Sequence, residues 1–401
     1  MKRFTLYIII LYNVFFLVGC NDTLEYPVDP TPLPRAKVER TVIVYMVADN
    51  SLSDVETDKK DIAEMVAGKD LIPEDVNFII FQDTRSHKPV IYELSAKNGI
   101  QLWKQYSEEL CSTDSEVMLK VLRKIEKYFP ARHYGITFWS HATGWAPKHD
   151  ARRNTFGQDC DDGTTTFEET EMEIPVLRDV LAQLPKFDYI FFDACFMQGI
   201  EVAYELRNVT DFMVGSPAEI PGPGAPYNKI IKALCEGDAM GIVQGYDSGY
   251  PSGIYSGVLL SCIDCTKLDA LAEATGQLLT PFYMGHSEPN AQQFQYYCNR
   301  YINKFTYCFD MRTTMRRLLS DEDYATWMTA FEEAVPLHSL SYTNSWFANY
   351  CSFPIVLDPD CYGGVSMFVP MTKYDNEGCT WNTDFQKTSW YEATGWDATG
   401  W

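Results

Sequence analysis

A thiol, an imidazole and a carboxylate stand at the ends of two apolar runs. The first run, Phe187 to Phe192, is short, aromatic and β-branched, breaks into Asp193-Ala194-Cys195, and is followed by the helix-forming stretch from Gly199 to Leu206. That pattern predicts a buried strand turning into a helix. The second run, His133 to Trp139, ends in Ser140-His141-Ala142. In open α/β sheets the carboxyl edge is where ligands sit. If the two strands are neighbours, Cys195 and His141 share that edge. A free thiol, with a pKa of about 8.5, is mostly protonated at neutral pH. An adjacent imidazole can take its proton during attack and return it to a leaving amine. Alternation along a strand could also turn Asp193 to the side of Cys195. Taken singly, a histidine is commonly a structural hydrogen bonder and a cysteine a small core residue. Together, at two strand ends, they point to nucleophilic catalysis. His87, His133, His149, His286 and His338 lack such a setting, and His133 opens its strand rather than closing it.

The elements that must hold these groups follow in order. Thr41 to Met46 is the first predicted strand, and a helix is expected over Asp54 to Ala67 with Ile62, Met65 and Val66 facing the core. Strands are expected over Val76 to Phe81 and Val90 to Leu94, the latter at or near an edge. Ser115 to Tyr128 carries Val117, Met118, Val121, Leu122 and Ile125 on one side, as an amphipathic helix does, and Pro130 stops it. A short helix over Glu173 to Leu184 precedes the Cys195 strand, and Phe212 to Gly215 is one more strand. The alternation implies an α/β fold with a mostly parallel central sheet between helices. The C-terminal half adds helices over Tyr227 to Cys235, Lys267 to Leu279 and Asp321 to Val335, and a late strand over Gly363 to Pro370. No linker stands out after residue 40, so residues 41–401 read as one domain.

Composition narrows the class. The chain has 401 residues, 46% of them hydrophobic, and a formal charge of -22. Such acidity argues against nucleic acid as a partner, which calls for a basic footprint. Lys2 and Arg3 precede an apolar run from Phe4 to Val18 that closes on Leu17-Val18-Gly19-Cys20. It is too short to span a membrane and reads as an export signal, residues 1–19. The Leu-Val-Gly-Cys sequence resembles a bacterial lipobox, which implies lipidation of Cys20, a lipid bilayer as partner, and a periplasmic or cell-surface location. Proline-rich residues 20–40 read as a flexible tether. Twelve cysteines suit an exported chain. Cys262 and Cys265 form one CxxC without a second pair, which makes zinc improbable, so buried thiols or disulfides are expected.

The segments Thr41 to Asn50, Tyr134 to Trp145 and Asp188 to Glu201 resemble the clostripain family of cysteine peptidases, which have a caspase-like fold. The loop Glu219 to Tyr227 and the stretch Gly364 to Pro370 are similar to that family as well. His141 and Cys195 are 54 residues apart, near the ~50 of caspases. The resemblance implies a caspase-like α/β/α sandwich, His141 as base, Cys195 as nucleophile, and cleavage of protein or peptide substrates after Arg or Lys, with Asp193 binding the substrate's basic side chain. A helix cap is the other reading of Asp193. The oxyanion would be met by the backbone N–H groups of Ala142 and Cys195. Family members commonly carry glycine where this chain has Ala142, which would strain the backbone if φ had to be positive. Such peptidases often cut themselves between histidine and cysteine, and Lys148, Arg152 and Arg153 lie in that interval. The run Asp159 to Gly163 has acidic density without EF-hand spacing, so calcium is a weak expectation and no other metal or cofactor is called for. The rival readings are a non-catalytic surface-binding lipoprotein on this fold and a cysteine peptidase of different specificity.

Overall fold

A computed structural model describes residues 33–145, 156–159, 171–250, 258–290, 297, 308–339 and 362–401. Its strands are β1 (Val38–Ala48), β2 (Val76–Thr84), β3 (His87–Ser95), β4 (Gly99–Gln105), β5 (Ala131–Trp139), β6 (Phe187–Asp193), β7 (Thr210–Gly215), β8 (Ser261–Asp264), β9 (Phe309–Asp310), β10 (Leu337–His338) and β11 (Ser366–Met367). Nine of them make one sheet in the order β10-β8-β7-β6-β5-β1-β2-β3-β4. The five central strands β7, β6, β5, β1 and β2 run parallel. Antiparallel strands extend both edges. Such a sheet needs cover on both faces, which is why its central strands are nearly unbroken apolar runs. In β1, Ile43, Tyr45 and Val47 enter one core cluster while Val42, Val44, Met46 and Ala48 enter the other. Each such side chain contributes about 1.5–3 kcal/mol on full burial.

Ten helices are used below: α1 (Ser51–Asp54), α2 (Thr57–Ala67), α3 (Ser115–Tyr128), α4 (Ile174–Leu181), α5 (Ile200–Leu206), α6 (Tyr227–Glu236), α7 (Ala239–Gly249), α8 (Leu268–Leu279), α9 (Met311–Leu318) and α10 (Asp321–Ala334). Helices α3, α4, α5, α8, α9 and α10 cover one face, joined by Trp381, Trp390 and Trp396 from the C-terminal turns. Helices α2, α6 and α7 cover the other. The result is a three-layer α/β/α sandwich with helical additions in its C-terminal half, as expected, and Pro34–Trp401 forms one compact unit. Asp114 caps α3 by accepting from the Glu116 and Val117 N–H groups, and Met118, Val121, Leu122 and Ile125 are buried.

Several expectations shift. The helix predicted over Asp54 to Ala67 is two helices, broken at Glu56, whose φ of 59° is left-handed. The buried face of α2 is Thr57, Asp58, Asp61 and Met65, while Ile62 and Val66 are only half buried. Strand β4 has a weak period and no buried residue, and pairing with β3 rather than propensity makes it a strand. The late strand shrinks to β11, paired with β9 outside the main sheet. Cys195, Cys235, Cys262, Cys265 and Cys379 are free thiols, so the CxxC at 262–265 forms no bridge.

Candidate active site

Three strand ends meet at one edge. Met46 pairs with Trp139, and Trp139 with Asp193. His141 and Cys195 therefore each follow a registered pair by two residues, on adjacent strands about 4.8 Å apart. Side chains tie these ends together. Ser140 Oγ donates to the Val47 carbonyl at 2.8 Å and accepts from Gln158 N–H at 3.2 Å. Asn50, fully buried, donates from Nδ2 to the carbonyls of Val47 (2.9 Å) and Gln158 (2.8 Å). Ser51 opens α1, and its Oγ lies 2.9 Å from His141 Nε2. Gly157 N–H donates to the His141 carbonyl at 3.0 Å.

Cys195 is half buried and packs against the cluster under α3, α4 and α5. The Ile220 N–H donates to its sulfur at 3.4 Å. Burial pushes the thiol up to about 12, Glu219 and Asp193 push the same way, and the Ile220 N–H opposes them. Phe196 sits at a left-handed φ of 61°, the mark of a tight strand-to-helix corner. Ala142 is buried, bridges Phe156 and is not among the positive-φ residues. Alanine in place of glycine therefore introduces no left-handed strain. The Ala142 and Cys195 N–H groups donate to no protein acceptor among the described residues. Gly144 is less free: at φ 81° a Cβ would lie 2.7 Å from the Phe196 carbonyl oxygen. Gly144→Ala is expected to push the His141 and Cys195 loops apart and to lower the melting temperature by several degrees, read by circular dichroism.

Asp193 departs from expectation in one respect. The strand ends at Asp193, so alternation does not carry on to Cys195. The carboxylate points to the α2, α6 and α7 side instead. Its Oδ2 accepts from the Ala225 N–H and the Tyr227 hydroxyl, both at 3.0 Å. Its Oδ1, buried, has no hydrogen-bond partner among the described residues. It does not cap the following helix, since α5 has Gly199 before it as N-cap and no side-chain cap. Asp61 of α2 faces it and accepts from Trp139 Nε1 at 2.6 Å. Burial first, then the neighbouring Asp193 charge, raises Asp61 far above the carboxylate range, and burial raises Asp193 as well. Reading the sequence missed both Ser51 and Asp61. Ser51 follows a turn and carries no pattern. Asp61 had a signal, a second acidic residue three positions after Asp58 on the buried side of α2.

Cys20, Lys148, Arg152, Arg153, Asp161, Asp162 and Gly163 lie outside the described residues. Asp159 is fully buried, where it accepts from the Ser112 N–H. Among the described residues no group of three or more His, Cys, Asp or Glu side chains could hold a metal ion. Nor is any helix among them long and apolar enough to cross a membrane.

The layered sheet with a thiol and an imidazole at neighbouring strand ends defines the caspase-like class of cysteine peptidases. Within it, a sequence profile of the clostripain family, peptidase family C11, matches residues 44–401, and the chain belongs to that family. Clostripain from Hathewaya histolytica is 27% identical over 224 residues, 49% of this chain and 42% of that protein. The matched part thus spans under half of that relative's length. A secreted C11 cysteine protease from Bacteroides thetaiotaomicron, solved with an irreversible peptide inhibitor, superposes with a TM-score of 0.74 at 28% identity, covering 90% of this chain and 99% of that one. An inactive zymogen C11 protease from Parabacteroides distasonis superposes with a TM-score of 0.71 at 25% identity, over 90% and 99% of the two chains.

Proposed function

We propose that this chain is a secreted cysteine endopeptidase that cuts after Arg or Lys, with Cys195 as nucleophile and His141 as base. The register of β5 against β6 carries this reading, because it sets both residues the same distance past one strand pair. The thiol is neutral before substrate arrives, so attack on the scissile carbonyl is coupled to proton transfer to His141. With Nε2 beside Ser51 Oγ, that transfer uses Nδ1. The tetrahedral oxyanion takes the Ala142 and Cys195 N–H groups. His141 then protonates the leaving amine, and water hydrolyses the thioester by the reverse proton path. A carboxylate at Asp193 suits a guanidinium or ammonium in the substrate.

Maturation belongs to the same reading: cleavage after Lys148, Arg152 or Arg153 releases the site, and Cys20 carries the lipid that holds the peptidase on a membrane. Similarity to a zymogen supports the first, and the lipobox-like sequence the second. The reading is tested with fluorogenic peptides ending in Arg, Lys, Asp or Leu, offered to the protein before and after tryptic nicking. Turnover of Arg or Lys peptides that iodoacetamide abolishes is the expected result. No thiol-dependent turnover of any of them overturns it. Ser51→Ala is expected to lower kcat several-fold with KM and melting temperature near wild type, since an exposed serine hydrogen-bonded to the ring orients the base without supporting the core.

A further inference from the structure

Two buried carboxylates, with no cation beside them among the described residues, stand where the proposed specificity residue lies. Asp61 is 1% exposed and Asp193 3%. Both Oδ2 atoms converge on Gly224, where a Cβ would lie 3.2 Å from Asp193 and 3.3 Å from Asp61. Gly224 has φ 70° and its carbonyl accepts from the Tyr250 hydroxyl at 2.6 Å, so the loop passes tightly over the pair. Asp193 Oδ1 has no hydrogen-bond partner among the described residues. The other titratable groups near the pair are Asp58 and Glu64 on α2, Tyr227 on α6, Tyr246 on α7, Tyr250 just beyond it and Cys195. All are acidic, and no Lys or Arg among the described residues acts on either carboxylate. Asp58 is engaged by Gln82 Nε2 and Thr84 Oγ1, and Glu64 by the Tyr227 N–H. Buried like charges without a counter-ion are costly, and such pairs concentrate at functional sites.

We propose that Asp61 is a second specificity-determining carboxylate, which completes with Asp193 the receptor for the basic side chain before the scissile bond. This rests on the Arg/Lys reading of the site and adds to it a residue from a different layer of the fold. In the empty enzyme the two carboxyls share one proton. When a guanidinium or ammonium enters, the pair releases that proton to solvent, and the cation faces two carboxylates. Affinity for a basic side chain therefore rises with pH, whereas affinity for a neutral isostere does not. Tyr227 and Tyr246, both raised well above their ordinary value by burial, stay neutral throughout.

The test compares peptides ending in arginine and in citrulline, its neutral isostere, on wild type and Asp61→Asn. Asparagine keeps an acceptor for the Trp139 N–H. The variant is expected to lose at least about tenfold in the arginine-to-citrulline ratio of kcat/KM. In wild type, the arginine-to-citrulline ratio of kcat/KM is expected to climb between about pH 6 and about pH 9. Titration of the Cys195 and His141 pair cancels from that ratio. This second reading needs no variant, so it decides the matter if Asp61→Asn fails to fold. An Asp61→Asn protein that keeps that ratio within about threefold of wild type, or a wild-type ratio flat with pH, overturns the proposal while the Arg/Lys reading stands. A wild type that cleaves neither Arg nor Lys peptides overturns both.

Discussion

Cys195→Ala is expected to abolish peptide turnover, and His141→Ala to lower kcat by about 10⁴-fold or more, measured on one fluorogenic arginine peptide after tryptic nicking. The size of the histidine effect comes from the state of the thiol. A cysteine held as a thiolate by its surroundings keeps nucleophilic character when its base is lost. Cys195 is in the opposite position, since burial, Glu219 and Asp193 push its thiol up to about 12. At neutral pH it is protonated, and on the proposed mechanism the step that makes it a nucleophile is removal of that proton by His141. The two substitutions are therefore expected to be strongly non-additive, with the double variant no slower than Cys195→Ala alone. Neither should change the melting temperature much, because both side chains are only half buried. A His141→Ala protein retaining more than about a tenth of wild-type kcat would show that another group deprotonates the thiol.

The strands that hold this pair were legible in the sequence because both faces of a parallel sheet are buried. Thr41 to Met46, His133 to Trp139 and Tyr189 to Phe192 read as buried strands, and α3 declared itself by its apolar period. Elements set by partners rather than by pattern were not legible. β4 exists because β3 lies beside it, and β11 is two residues long because only two find a mate in β9. At the site, His141, Cys195 and Asp193 announced themselves by standing where an apolar run stops. Asp61 did not, since an acidic residue in an amphipathic helix is ordinarily read as solvated. Its burial follows from where α2 packs, over the ends of β5 and β6. A carboxylate that costs stability is informative only once the second carboxylate beside it is known.

That cost bears on the second large effect, from Asp193→Asn. The substitution is expected to lower kcat/KM for arginine and lysine peptides by roughly 10²-fold to 10³-fold, the range for losing one partner of a buried charge pair. It should leave the iodoacetamide reaction of Cys195 in place. Asparagine can accept the Ala225 N–H and Tyr227 hydroxyl bonds that Asp193 Oδ2 now takes, so the loop over the site keeps its anchors. Stability should move the other way. Asp61 is raised above its unfolded value by burial and by the Asp193 charge. Above the ordinary carboxylate range the unfolded chain has released the Asp61 proton while the folded chain still holds it. Unfolding then releases a proton, so stability falls as pH rises through this window. Removing the Asp193 charge brings Asp61 down and shrinks that penalty. Asp193→Asn is therefore expected to melt at a higher temperature than wild type at about pH 8, with the gain vanishing at about pH 4, where both carboxyls are protonated or nearly so. Melting curves at the two pH values check the sign. A variant less stable than wild type at both would mean that Asp193 serves the fold through its two hydrogen bonds, and that the acidic pair stores no strain for a basic substrate to relieve.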